Sequence, residues 1–117
     1  MGKEKTPVGK LDTIIGEETV LKGDCRVNGG MRLDGQAEGK IDVADTFLTG
    51  PRSFLKGEAH CRNAVIAGRI EGNIFATETV ELHTGAQVFG NITCRGLVIQ
   101  PGCFFEGGCS MVRDGTG

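Results

Sequence analysis

Ile70-Glu71-Gly72-Asn73-Ile74-Phe75-Ala76 is one statement of a phrase, apolar-x-Gly-x-apolar-x-apolar, that the chain makes six times. The copies centre on Gly23, Gly39, Gly57, Gly72, Gly90 and Gly107, spaced 15 to 18 residues apart. Aligned on these glycines, the position two before holds Leu21, Ala37, Leu55, Ile70, Val88 and Phe105. Two after stand Cys25, Ile41, Ala59, Ile74, Ile92 and Cys109, and four after stand Val27, Val43, Cys61, Ala76, Cys94 and Met111. Every member is apolar or Cys, and alternation with period 2 means strand with one face buried. The glycine has the parity of the inward residues, where the absence of a side chain allows a kink or a close backbone approach.

Each period carries a second strand ending in a glycine turn. These are Thr13-Ile14-Ile15-Gly16, Met31-Arg32-Leu33-Asp34-Gly35, Thr46-Phe47-Leu48-Thr49-Gly50, Ala64-Val65-Ile66-Ala67-Gly68, Val80-Glu81-Leu82-His83-Thr84-Gly85 and Leu97-Val98-Ile99-Gln100-Pro101-Gly102. The inward pairs read as Met31/Leu33, Thr46/Leu48, Ala64/Ile66, Val80/Leu82 and Leu97/Ile99. No stretch has helical periodicity. A period this short cannot bury its own apolar face, so successive windings must stack as parallel strands about 4.8 Å apart, giving a core roughly 29 Å long. The chirality of parallel connections favours a right-handed coil. The expected fold is therefore all-β: a right-handed parallel β-helix, or solenoid, of about six windings. It spans 13–112, with flexible tails over 1–12 and 113–117.

The outward column one residue before each glycine reads Lys22, Glu38, Lys56, Glu71, Phe89, Glu106, with charges alternating over the first four windings. Opposite charges on paired strands contribute about 0.2–1 kcal/mol per contact, and the alternation agrees with the alignment.

Among 117 residues there are six Phe and no Tyr or Trp, and the net charge is −2 with both signs interspersed. That balance points to no nucleic acid or acidic ligand. No apolar run approaches the roughly 20 residues that span a bilayer, and no signal-peptide pattern is present. Five Cys without paired short spacings fit a reducing compartment, so a cytoplasmic location is expected.

With those residues in view, the chain resembles the bactofilins, bacterial polymer-forming cytoskeletal β-helix proteins, over about residues 12 to 112. The resemblance rests on Thr13-Ile14-Ile15-Gly16-Glu17, on Val65-Ile66-Ala67-Gly68-Arg69-Ile70-Glu71-Gly72-Asn73-Ile74, and on Leu97-Val98-Ile99-Gln100-Pro101-Gly102 with Phe105-Glu106-Gly107. It implies a right-handed β-helix that assembles end to end without nucleotide, in a symmetric, non-polar arrangement. It also implies a role in cell shape, or as a scaffold for cell-wall or polar proteins at the inner face of the membrane. Some relatives carry an apolar membrane-targeting peptide at the N-terminus. Here Met1 to Lys10 is polar, so membrane association is not supported by the tail.

A solenoid end exposes unpaired backbone groups over an open apolar core, and monomeric solenoids cap it. No cap is visible at either end of the sequence. The expected polymer interfaces are Ile14, Ile15, Val20 and Leu21 at the N-terminal end, and Phe104, Phe105, Met111 and Val112 at the C-terminal end. Uncapped ends that match would stack into a filament rather than a closed ring. A lateral contact strip is expected from Phe47, Val65 and Val98, read as one outward column with Arg32 and Glu81, together with outward Phe75 and Phe89.

No catalytic, cofactor or metal site is expected. Cys25, Cys61, Cys94 and Cys109 fall in inward columns and Cys103 at a corner, with no C-x-x-C spacing for zinc, so they read as small buried hydrophobes. His60, beside Asp42 in an outward column, and His83, near a turn, have no companion carboxylate or Cys by spacing. Met1-Gly2-Lys3-Glu4-Lys5-Thr6 fits the myristoylation pattern, a modification out of place in a bacterial family. Two other functions compete with the scaffold. A monomeric β-helical binding module requires capped ends and a patterned surface strip, and of these only the strip has support in the sequence. A left-handed β-helix acyltransferase requires a strict six-residue phrase and a catalytic His on a long loop; the varying period and short loops disfavour it.

Overall fold

The computed structural model describes residues 11–111, with side chains from 13 onward. Within them there is no helix; thirteen strands form one continuous parallel sheet that coils through six windings. The first winding contains β1 (Leu11–Ile15), β2 (Val20–Lys22) and β3 (Cys25–Val27). The second holds β4 (Gly30–Leu33) and β5 (Gln36–Val43), and the third opens with β6 (Thr46–Thr49). β7 (Phe54–Ile66) and β8 (Arg69–Leu82) are long because each runs around two corners into the next winding. β9 (Gln87–Phe89) and β10 (Ile92–Cys94) finish the fifth winding. β11 (Gly96–Ile99), β12 (Phe104–Glu106) and β13 (Cys109–Met111) make the sixth.

Each winding has three sides, and the repeated glycine forms the corner between the second and third. The rungs are in register: Lys56 lies over Glu38 and under Glu71, and Gly57 over Gly39 and under Gly72. Gly57 and Gly72 have φ of 141° and 147°, a region that side chains other than glycine's rarely enter. A Cβ on Gly72 would run into the carbonyl oxygen of Gly57, and one on Gly57 into that of Gly39. The glycine column is therefore a line of close backbone contacts up one corner.

All three inward columns of the phrase are buried in the middle windings, where Leu55, Ile70, Ile74, Val88 and Ile92 have no exposure. A fully buried side chain of this size contributes roughly 1.5–3 kcal/mol. The two buried polar residues are bonded within the corners: Ser53 Oγ donates to the Gly50 carbonyl at 2.7 Å, and Thr49 Oγ1 accepts from the Ala67 amide at 3.1 Å.

The third winding departs from expectation on its first side. Phe47 and Thr49 point inward, and Thr46 and Leu48 outward. Phe47 has no exposure, lying between Met31 and Ala64 in the stack. The sequence reading placed Thr46 and Leu48 inward instead. The gap from the last inward residue to the turn glycine varies between windings, and Gly50 follows Thr49 directly. One residue of slip exchanges the two faces of a strand. The outward column is therefore Ile14, Arg32, Leu48, Val65, Glu81, Val98. β1 also begins at Leu11, two residues inside the expected N-terminal tail. The rest of that tail, the expected C-terminal tail and Val112 lie outside the described residues.

Candidate functional site: the two ends of the solenoid

Strands of the inner windings have a neighbour above and below, whereas β1, β2 and β3 pair on one side only, with β4 and β5. At the other end β11, β12 and β13 pair only with β8, β9 and β10. Among the described residues, both terminal windings thus present a three-sided rim of backbone N–H and C=O groups without a strand beyond it. Such an edge is a template for further pairing.

Inside each rim lies the end of the core. At the N-terminal end Ile15 and Leu21 point inward, over the buried Leu33 and Ala37, and Cys25 and Val27 complete the triangle over Ile41 and Val43. Ile14 and Val20, expected in the same contact, stand on the outer sides, 62% and 56% exposed. At the C-terminal end Phe105 packs inward over Val88, and Met111 lies over Cys94 yet is 51% exposed, because no described winding follows. Phe104 points outward beside Phe89, ring centroids 5.4 Å apart, while Arg69 lies 4.5 Å from the Phe89 ring. Each four-residue group named from sequence thus mixes inward and outward side chains. Leu97, Ile99 and Cys109 belong to the C-terminal end and were missed. The signal was present, since Leu97, Ile99 and Cys109 pair with the buried Val80, Leu82 and Ile92 and share their columns.

The lateral strip changes in membership. Phe47 is withdrawn to the core and Leu48 takes its outward place, beside Val65, Glu81 and Val98. Phe75 and Phe89 stand on outward columns and are half-buried. Phe75 stacks on His60 at 4.7 Å between ring centroids, in a shallow side groove with Asp42, Arg62 and Thr93. His60 Nε2 lies 3.2 Å from Glu58 Oε1, and His83 Nε2 3.1 Å from Glu81 Oε1. Each carboxylate is two residues before its His, which within β7 sets Glu58 and His60 on one strand face, while His83 directly follows β8; the sequence reading overlooked both pairs.

The cysteines occupy the expected columns. Cys61 is buried, and burial, reinforced by Asp42, pushes its thiol up to about 12. Burial also pushes Cys94 up to about 11, with the neighbouring Cys109 adding to the shift. Cys25 and Cys103 are partly buried, and Cys109 is exposed at the open end. Among the described residues no helix is long and apolar enough to cross a membrane.

The family model described as "Bactofilin: Polymer-forming cytoskeletal" matches residues 13–110. Bactofilin BacO of Myxococcus xanthus is 30% identical over 100 residues, covering 86% of this chain and 79% of BacO. Bactofilin BacP of the same organism is 28% identical over 110 residues, covering 93% of this chain and 46% of BacP. No solved structure gives a significant match.

Proposed function

The chain belongs to the bactofilin family of polymer-forming cytoskeletal proteins, and from that premise we propose that it assembles end to end, through its terminal windings, into filaments that need no nucleotide. The observation that carries this reading is the pair of rims: one-sided strands enclosing apolar side chains at both ends. Stacking gives those strands their missing partners and removes Ile99, Phe105 and Met111 from water. At roughly 25 cal/mol per Å² of apolar surface, such burial favours association without any fuel. An end that repeats the same contact propagates as a filament instead of closing.

The filament would act in the cytoplasm, at the inner face of the cell membrane where cell-wall or polar proteins are positioned, as a scaffold rather than a catalyst. Residues 13–112 would be the polymerising unit. Val65, Val98, Phe75 and Phe89, with Leu48 in place of Phe47, would offer the lateral surface for neighbouring filaments or client proteins.

Negative-stain electron microscopy of the purified chain, without nucleotide or metal, tests the assembly. Thin filaments are expected. Discrete particles would refute self-assembly and favour a binding module. Phe105→Arg places a charge in the C-terminal contact and is expected to leave soluble short species. Undiminished polymerisation of that variant would show that the C-terminal contact lies elsewhere.

A further inference from the structure

Three sulfur atoms meet at the open C-terminal end. Met111 lies directly over Cys94 in the pairing of β13 on β10, and Cys109 lies over Ile92, so all three side chains share the inward face of one side. Met111 Sδ is 3.9 Å from Cys94 Sγ and 3.9 Å from Cys109 Sγ. Both contacts have the geometry of a thiol S–H donating to the thioether sulfur. Cys94 has no exposure and forms the floor, while Met111 and Cys109 are open to solvent at the mouth. An incoming ion would therefore enter through the end of the solenoid.

Spacing and donor type together decide what such a cluster could hold. Three sulfurs arranged trigonally around an ion, with metal–sulfur bonds of about 2.3 Å, lie about 4 Å from one another. Met111 Sδ already stands at that separation from each of the two thiols. Thiolate and thioether donors select a soft ion, with Cu(I) the first-row case. Zinc requires a fourth ligand, and no group of three or more His, Cys, Asp or Glu that could hold a metal converges among the described residues. A disulfide is a poor alternative. Cys94 and Cys109 are diagonal neighbours on adjacent parallel strands, offset by two residues along the strand and one strand spacing across, which sets their Cα atoms about 8 Å apart, beyond the roughly 4.4–6.8 Å that a disulfide spans.

We propose that Cys94, Cys109 and Met111 form a three-coordinate site for Cu(I) at the C-terminal end of the solenoid. Binding joins one Cu(I) to two thiols and one thioether and releases two protons to solvent. The resulting bis-thiolate complex carries a net charge of −1, and no electron is transferred. The site is complete within a single chain, and because its mouth is the face that end-to-end stacking would cover, loading and stacking compete for one surface.

The test is an anaerobic titration of the reduced full-length chain carrying Phe105→Arg, which leaves the C-terminal end unstacked, with Cu(I) against bicinchoninate as competing chelator. One tightly held Cu(I) per chain is expected, with sulfur-to-copper charge-transfer absorption in the near ultraviolet. Loss of even an outer-shell partner weakens metal sites by roughly 10–100-fold. Cys109→Ser, at an exposed position, is therefore expected to weaken binding at least that much, and Met111→Leu by about tenfold. A Cys25→Ala/Cys103→Ala double variant should bind as the parent does. Absence of binding, unchanged affinity in Cys109→Ser, or loss of the site in the double variant would each overturn the proposal. So would copper uptake that merely follows the number of cysteines, or zinc held as tightly as Cu(I).

Discussion

The carbonyl oxygen of Gly57 occupies the space that a Cβ on Gly72 would need, and Gly72 itself sits at φ 147°. Both the backbone conformation and the contact with the winding below exclude a side chain, so the requirement is doubled at one position. A residue forced into this region costs about 1–3 kcal/mol before any clash is counted. Gly72→Ala is thus expected to lose at least about 2 kcal/mol of stability in urea denaturation. Gly23→Ala, whose Cβ would meet nothing within 4 Å, should lose less, although its φ of 105° is also positive. Equal losses at the two sites would mean that backbone conformation, and not the stacked contact, sets the requirement. The recurrence of glycine was plain in the sequence; which of the six touch the winding below was not, because that depends on a neighbour 15 to 18 residues away.

Along a strand, parity is the quantity that matters, and β6 shows how it is set. Its four residues, Thr46-Phe47-Leu48-Thr49, carry apolar side chains on both faces, so alternation alone does not choose between them. Packing does. Phe47 fits because the next residue in its stack is the small Ala64, and the opposite side of the chain places Leu48 between Arg32 and Val65. Thr49 then turns inward with its hydroxyl bonded to the Ala67 amide. Phe47→Ala is expected to cost about 3–5 kcal/mol, as a buried aromatic truncation does. Leu48→Ala, on the outer face, should cost about 1 kcal/mol or less. Thermal or urea unfolding of the two variants decides the register, and the reverse ranking would mean that the strand pairs one residue out of step.

Among the described residues, what distinguishes the terminal windings from the inner four is the missing neighbour. The same columns that hide Leu82 and Cys94 leave Ile99 and Met111 about half exposed at the last winding. A contact made of apolar burial and strand pairing is insensitive to screening, whereas one made of surface charge is lost when the Debye length shrinks to about 3 Å at 1 M salt. Filaments are accordingly expected to persist at 1 M sodium chloride, as seen by electron microscopy or sedimentation. Their dissolution in salt would transfer the contact to charged groups such as Glu106 and Arg95 on the outer faces.

The sequence by itself determined the architecture. A phrase repeated six times with period-2 alternation admits no structure but stacked strands, because a single winding cannot bury its own inward residues. It also determined the three columns around the glycine and the family to which the chain belongs. Only the tertiary structure decided the parity of β6, the membership of each end and the meeting of three sulfurs. Each of those depends on which residue lies above which, and windings of unequal length shift that register by a residue at the corners. Cys94 and Cys109 are distant in sequence and show no ligand spacing, yet the coil sets them on neighbouring strands with Met111 between their sulfurs.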